Sequence, residues 1–541
     1  MRLAVPATIA GVNMPRLRRL AASLALLATL GACTAPGSRN PLPGPSAAPT
    51  AGGRTATASP TPTPPRILTL EDLAPGLQKA PAAFSNPAPA VAEPGPALAV
   101  SLAAEASTKR FDQGSLGLSF EATELADDRW DPAKSYLDEL VGALDRPSLR
   151  FGGNSVDRRV WWTSTDEPAP EWAEVTLTPA DFTRLATFVT KTGASVTLVV
   201  DLGHNDPARA ADMVFHARRS LGDRLIAVSV GNEPNGFALA SQPQYRMRED
   251  GYSPAQFVAE ARPYVEAIHA KAPEVGIVGP GTFDAPWWRA FADAGFPHTQ
   301  ALSQHWYPLW SCDGSAEPKA SPTVANITSP WLHERATFII GMGLQTARRY
   351  DLPLWMEETG PTSCAGTNDS SRTHAQALWT ADFTLHAAAL GVERLNHHSM
   401  IDACRGGAPM SPVCDTGSLG SRSPVLNGQS NYLALLQLAR LREGVLRPVR
   451  VSGAEGVYGY AVEDDKGLDL VLVNLNDPAA VGASALEFAV PEGLTPTHGS
   501  VLWADTLDVR NGTSLLPWSK LDAVPATVNA GSVLAVKFQR A

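Results

Sequence analysis

The chain has 541 residues, 44% hydrophobic and 18% charged, which is enough apolar material for a large core and too little charge for a disordered chain. A formal charge of -10 argues against a nucleic-acid binder and sets a repulsive field against long acidic polymers, which only a local basic cleft would override. The length predicts two or more domains.

At the N-terminus, Arg16, Arg18 and Arg19 precede an apolar stretch at 20–30 that is short for a bilayer span, followed by Leu30-Gly31-Ala32-Cys33. This resembles a bacterial lipobox. The resemblance implies cleavage before Cys33, lipid on that cysteine, and a membrane-anchored lipoprotein on the periplasmic or cell-surface side. Residues 1–33 are then a signal peptide. From 34 to 96 the chain is mostly Pro, Ala, Ser, Thr and Gly, with Pro60-Thr61-Pro62-Thr63-Pro64-Pro65 inside it, a composition that predicts an extended tether.

Beyond the tether, eight β-like runs alternate with helical ones. The strands are predicted at 116–121, 148–152, 195–201, 225–231, 275–279, 301–307, 352–358 and 392–397. Thr178-Pro179 and Ser253-Pro254 each place a capping hydroxyl before a proline suited to the first helical turn. Pro263 is expected to kink the helix that Ser253 starts. Eight βα units predict a closed (β/α)8 barrel over 97–444 rather than an open doubly wound sheet. After a final helix near 431–443 the pattern shifts to short strands at 468–474, 486–490, 501–504 and 532–538. They predict a C-terminal antiparallel β-sandwich over 445–541, to which 97–110 offers one further strand.

Two glutamate motifs close apolar strands, Gly231-Asn232-Glu233-Pro234 and Trp355-Met356-Glu357-Glu358-Thr359. A barrel gathers its strand ends on one face, where two carboxyl groups about 5 Å apart suit retaining glycoside hydrolysis. Glu233 is the expected acid/base, kept protonated by burial and by its charged neighbour. Glu358 is the expected nucleophile. Glu357 competes with it, since strand alternation turns only one of the two toward the substrate. Asn232 is suited to hydrogen-bond a sugar 2-hydroxyl. Asp201, His204, His397 and His398 lie near strand ends without an assigned role, and their spacing fits no metal-ligand motif. Neither a metal nor a cofactor is expected, and the partner is a carbohydrate substrate.

Together with Leu118-Ser119-Phe120-Glu121, Leu149-Arg150-Phe151-Gly152-Gly153-Asn154 and His305-Trp306-Tyr307, these motifs resemble glycoside hydrolase family 79, the β-glucuronidase and heparanase-like family of clan A. The resemblance runs from about residue 97 to the C-terminus and is specific only in the barrel. It implies that Glu121, Arg150, Asn154, Asn232, His305 and Tyr307 form the substrate site, with Arg150 and Tyr307 orienting Glu358. It also favours Glu358 over Glu357. The activity implied is exo-cleavage of β-glucuronides. The family's glycine and tyrosine segment for the uronate carboxylate has no clean equivalent here, and Arg405, in Arg405-Gly406-Gly407, is the substitute candidate. A neutral β-glucoside, xyloside or galactoside is the alternative substrate, and a glycan-binding barrel without hydrolysis is the alternative class.

Cys312, Cys364, Cys404 and Cys414 remain once Cys33 is set aside. An even count in an exported chain favours disulfides, with three connectivities possible. Cys312 and Cys364 follow neighbouring strands and Cys404 and Cys414 share one loop, so two bridges at the rim of the site are expected.

Overall fold

The computed structural model describes residues 68–541 apart from 241–242, 365–366, 403, 405–410 and 416–422. The lipobox with Cys33 and the proposed carboxylate reader Arg405 lie outside the described residues.

Eight parallel strands close into a barrel. They are β1 (Gly117–Glu121), β2 (Ser148–Gly152), β3 (Ser195–Val200), β4 (Leu225–Val230), β5 (Gly276–Thr282), β6 (Thr299–Trp306), β7 (Leu354–Thr359) and β8 (Val392–Ser399). Each is followed by a barrel helix of the same number, from α1 (Leu137–Gly142), α2 (Pro179–Thr192), α3 (Pro207–Leu221) and α4 (Pro254–Lys271) to α5 (Ala285–Asp293), α6 (Pro330–Arg349), α7 (His374–Leu390) and α8 (Ser430–Leu438). Every residue of β1, β2 and β7 is buried, as expected of parallel strands covered on both faces. Inside the barrel, Ala227, Val278, Ala301 and Trp355 make an apolar cluster.

Local signals start and stop the helices. Asp181 accepts the Thr178 backbone N–H at 2.7 Å with Pro179 in the first turn, and α2 ends at Gly193 with φ 77°, a left-handed cap that costs glycine nothing. Helix α4 carries Pro263 within its span and continues to Lys271. Helix α7 is buried along most of its length because it lies between the barrel and a second layer, so it has no polar face to turn outward.

That second layer is the β-sandwich. One sheet runs in the order Ser514–Lys520, Leu494–Trp503, Ser532–Arg540, Gly467–Asn474, Val457–Glu463. The long strand Gly444–Ser452 turns the corner, its first half pairing with Val457–Glu463 and its second with Gly95–Leu102. Gly95–Leu102, Ser484–Phe488 and Thr527–Val528 make the opposite layer, and Leu98, Leu472, Val501, Val536 and Phe538 fill the space between.

The extended tether expected over 34–96 ends earlier than its composition suggests. Leu73 and Ala74 are fully buried, and Gln78 and Phe84 donate backbone hydrogen bonds to Leu515 and Lys520 of the sandwich. Residues 68–94 carry enough apolar anchors, Leu73 and Phe84 among them, to lie against the body despite their prolines.

Candidate active site

Two carboxylates converge at the end of the barrel where the β-strands finish. Glu233 follows β4 and Glu358 belongs to β7; one oxygen from each and one ring nitrogen of His305 all lie within 4.8 Å of one another. Both glutamates are buried, at 4% and 5% exposure.

Arg150 of β2 organises the pair. Its Nη1 donates to Glu358 Oε2 at 2.7 Å and to Ser119 Oγ at 2.9 Å, and its Nη2 donates to Asn232 Oδ1 at 2.7 Å. Tyr307 donates its hydroxyl to the other oxygen of Glu358 at 2.8 Å. Burial works against the Glu358 anion, yet the charges of His305, His398 and Arg150 and the Tyr307 hydroxyl outweigh it, holding this carboxyl well below the usual carboxylate range. Burial beside that anion pushes the Tyr307 hydroxyl the other way, so Tyr307 stays a donor.

The expected alternation of Glu357 and Glu358 gives way to a bulge. Gln304 of β6 faces Met356, but the next residue, His305, faces Glu358, so Glu357 is an extra residue in β7. Strand alternation is broken there, and both side chains reach Arg150: Glu357 Oε2 lies 3.8 Å from Nε. Burial raises the Glu357 carboxyl, opposite to its neighbour.

Glu233 has left-handed backbone geometry, φ 47° and ψ 55°, sparsely populated for a residue with a side chain. Its N–H donates to Gly281 O at 3.1 Å. His305 Nδ1 lies 3.0 Å from Glu233 Oε1, so this histidine meets the expected acid/base directly, whereas the sequence placed it among the sugar contacts.

The Gly152-Gly153 pair has a steric reason. A Cβ on Gly152 would come within 2.8 Å of the Arg150 guanidinium carbon. One on Gly153, at φ 68°, would lie 2.4 Å from the Glu121 carboxyl carbon. Glu121 in turn accepts the Ser155 N–H at 2.8 Å, and Asn154 follows on the same loop, half-buried.

Three participants escaped the sequence reading. His398, ending β8, puts Nδ1 3.7 Å from Glu358 Oε1 and has no hydrogen-bond partner at that nitrogen. Ser119 was visible only as part of a strand motif. Asp157 is fully buried and ties together the loops after β2, β3 and β4. Position at a strand end was a usable signal for His398; for Asp157 there was none. His397 turns away from the site to Thr384 of α7, and burial pushes its imidazole down to about 3. His204 Nδ1 lies 2.8 Å from Asp201 Oδ2, and His204 stacks on Trp172. At the rim, Cys312 is bridged to Cys364 and Cys404 to Cys414.

No protein-family model matches the chain, and no curated protein matches it. Solved structures share its fold. A 4-O-α-L-rhamnosyl-β-D-glucuronidase from Fusarium oxysporum superposes with a TM-score of 0.60 at 17% identity, covering 81% of this chain and 99% of that one. A family 51 arabinofuranosidase from Xanthomonas axonopodis pv. citri gives 0.60 at 15% identity, with 82% and 100% covered. A family 44 xyloglucanase from Paenibacillus polymyxa gives 0.56 at 12% identity, with 82% and 100% covered. The barrel with its sandwich is therefore an architecture shared with glycoside hydrolases.

Proposed function

We propose that this chain is a retaining glycoside hydrolase of the clan A type, with Glu233 as acid/base and Glu358 as nucleophile. The observation that carries the reading is the approach of the two carboxylates to within 4.8 Å. That oxygen-to-oxygen approach fits the retaining spacing of about 5–5.5 Å between carboxyl groups better than the roughly 6.5–9.5 Å an inverting enzyme needs for its water.

In the first step Glu233 gives its proton to the glycosidic oxygen while Glu358 attacks the anomeric carbon, so that the C–O bond to the aglycone breaks and an ester to Glu358 forms. In the second step Glu233, now a carboxylate, takes a proton from water, and that water displaces Glu358. Arg150 and Tyr307 supply what the nucleophile requires, a charge that keeps it ionised and two fixed hydrogen bonds that aim it. The Asn232 amide is oriented by Arg150 at Oδ1, which leaves Nδ2 as a buried donor without a protein partner. A sugar 2-hydroxyl is the group that would use it, and that contact strengthens as positive charge builds at the anomeric carbon.

For the sugar we favour a β-glucuronide, released exo-fashion, on the family 79 resemblance of the strand motifs and the glucuronidase among the fold neighbours. Arg405 remains the proposed reader of the uronate. A neutral glycoside is the second reading, because the family's glycine and tyrosine segment for the uronate has no clean equivalent in this chain. An intact carboxylate pair favours either over a barrel that only binds glycan. Cys33 is the proposed lipid anchor that holds the enzyme at an outward-facing membrane surface.

Chromogenic β-glucuronide, β-glucoside, β-xyloside and β-galactoside, offered side by side, test the reading. Wild type should turn over one of them, with the glucuronide first, and Glu233→Gln and Glu358→Gln should not. Turnover by either variant at the wild-type rate would end the two-glutamate account. In the same panel Arg405→Ala should lose roughly 10- to 150-fold on the glucuronide and spare the glucoside, the loss expected of one buried charge-assisted contact. Equal losses on both would remove Arg405 from substrate recognition.

A further inference from the structure

Asp157 is fully buried, and three backbone N–H groups converge on it. Leu202 and Gly203, on the loop after β3, donate to Oδ1 at 2.8 and 3.2 Å, and Asn232 donates to Oδ2 at 2.8 Å. One carboxylate on the loop after β2 thereby fixes the backbone of the loops after β3 and β4. Its third contact is to Asn232, whose Oδ1 accepts from Arg150 and whose Nδ2 has no protein partner, immediately before Glu233 in its strained left-handed conformation.

We propose that Asp157 is a positioning residue, and that it acts on the reaction through Asn232 by holding the Asn232 amide where a sugar 2-hydroxyl is read. This rests on the retaining two-glutamate reading.

The chemistry requires an anion. A carboxylate is an acceptor at both oxygens, matching N–H groups on both sides. An asparagine in its place turns an NH2 toward one set of N–H donors, and a protonated carboxyl turns an O–H toward them, so either change breaks one side of the strut. The surroundings put that change within reach of ordinary pH. Burial, and then the Asp201 charge, push the Asp157 carboxyl up to about 6, against the pull of Arg158 and of the backbone donors. Arg248, Tyr252 and Tyr264 also feel its charge, the last from α4. Because the folded-state value is raised, Asp157 takes up its proton as pH falls through about 6, and the strut weakens on the acid side.

The test compares two aryl glycosides of the best-hydrolysed sugar, one with its 2-hydroxyl and one 2-deoxy. The readout is the ratio of their kcat values on a single preparation, so any misfolded fraction cancels. In the wild type the 2-hydroxy substrate should be faster, and Asp157→Asn should reduce that ratio by about 10-fold or more, the size of a lost charge-assisted contact. Asn232→Ala should reduce it as far, and the double variant no further. In the wild type alone, the ratio should fall as pH drops from 7 to 5, so the pH series decides the matter even if Asp157→Asn does not fold. A ratio unchanged in Asp157→Asn, or unchanged by pH where that variant does not fold, overturns the proposal, as does an Asp157→Asn loss equal on both substrates. Failure of the two-glutamate reading would look different, as turnover in Glu358→Gln.

Discussion

Tyr307 and Arg150 give Glu358 its character, and each makes its contribution in a separable way. Arg150 is held by Ser119 and Asn232 as well as by Glu358, so replacing it would loosen Glu358 and the Asn232-Glu233 segment together. Tyr307 reaches only the outer oxygen of Glu358. Removing that hydroxyl in Tyr307→Phe takes away a bond that favours the anion, so the Glu358 carboxyl should rise toward its ordinary value. The acidic limb of kcat/KM, where loss of rate reports protonation of the nucleophile in the free enzyme, should then move to higher pH. A limb that stays in place would separate it from Glu358. Glycine offers a second residue-scale check. Gly153→Ala adds a Cβ at φ 68° and 2.4 Å from the Glu121 carboxyl carbon, so it should cost activity well beyond the roughly 1 kcal/mol of an ordinary glycine-to-alanine backbone effect. Wild-type kcat/KM in that variant would mean that Glu121 has no part in the site.

At the scale of elements, the residue alternation of β7 is what the sequence could not supply. Periodicity predicts that Glu357 and Glu358 face opposite ways, and a one-residue bulge against β6 overrides it by bringing both to Arg150. A bulge has no composition of its own, so nothing in Trp355-Met356-Glu357-Glu358-Thr359 announces it. Glu358 takes the 2.7 Å bond from Arg150 and the Tyr307 hydroxyl, whereas Glu357 Oε2 stands 3.8 Å from Nε, so Glu357→Gln should keep most activity, within about 10-fold, while Glu358→Gln should lose roughly 1000-fold or more. The rim loops are the other element-scale feature. The bridge from Cys312 to Cys364 closes a separation of 52 residues across the loops after β6 and β7. Replacing both cysteines with serine should lower unfolding stability by about 2–4 kcal/mol in a denaturant titration.

For the whole molecule, the barrel was legible because strands such as β3 and β4 are short apolar runs, and helices α2 and α4 beside them carry clear start signals. The eight predicted strands fall on the observed ones with shifts of a few residues at their ends. The sandwich was legible only in part. Gly444–Ser452 and Ser514–Lys520 carry Pro448 and Pro517, and Leu494–Trp503 carries Pro496, residues that argue against a strand when read alone. Pairing across the sheet overrides them. The site shows the same division. Glu233, Glu358, Arg150 and Tyr307 sit in recognisable motifs, whereas Asp157 acts by long-range backbone contacts that no local pattern encodes. Barrel and sandwich also share one core, in which α7 and α8 pack against Val471, Val473, Val533 and Ala535. Truncation at 444 would expose the outward side of α7 and the sandwich-facing side of α8. The shortened chain should therefore fail to give a soluble, cooperatively melting protein; a sharp thermal transition in it would show that the barrel folds alone.

The central claim is that Glu358 forms a covalent bond to the sugar. A 2-deoxy-2-fluoro glycoside of the best-hydrolysed sugar, carrying an activated leaving group, slows breakdown of the intermediate enough to trap it. Peptide mass spectrometry of the inactivated enzyme should find the fluoro sugar on Glu358. A label on Glu357, or turnover of the ordinary substrate that releases the inverted anomer with no label at all, would contradict the account.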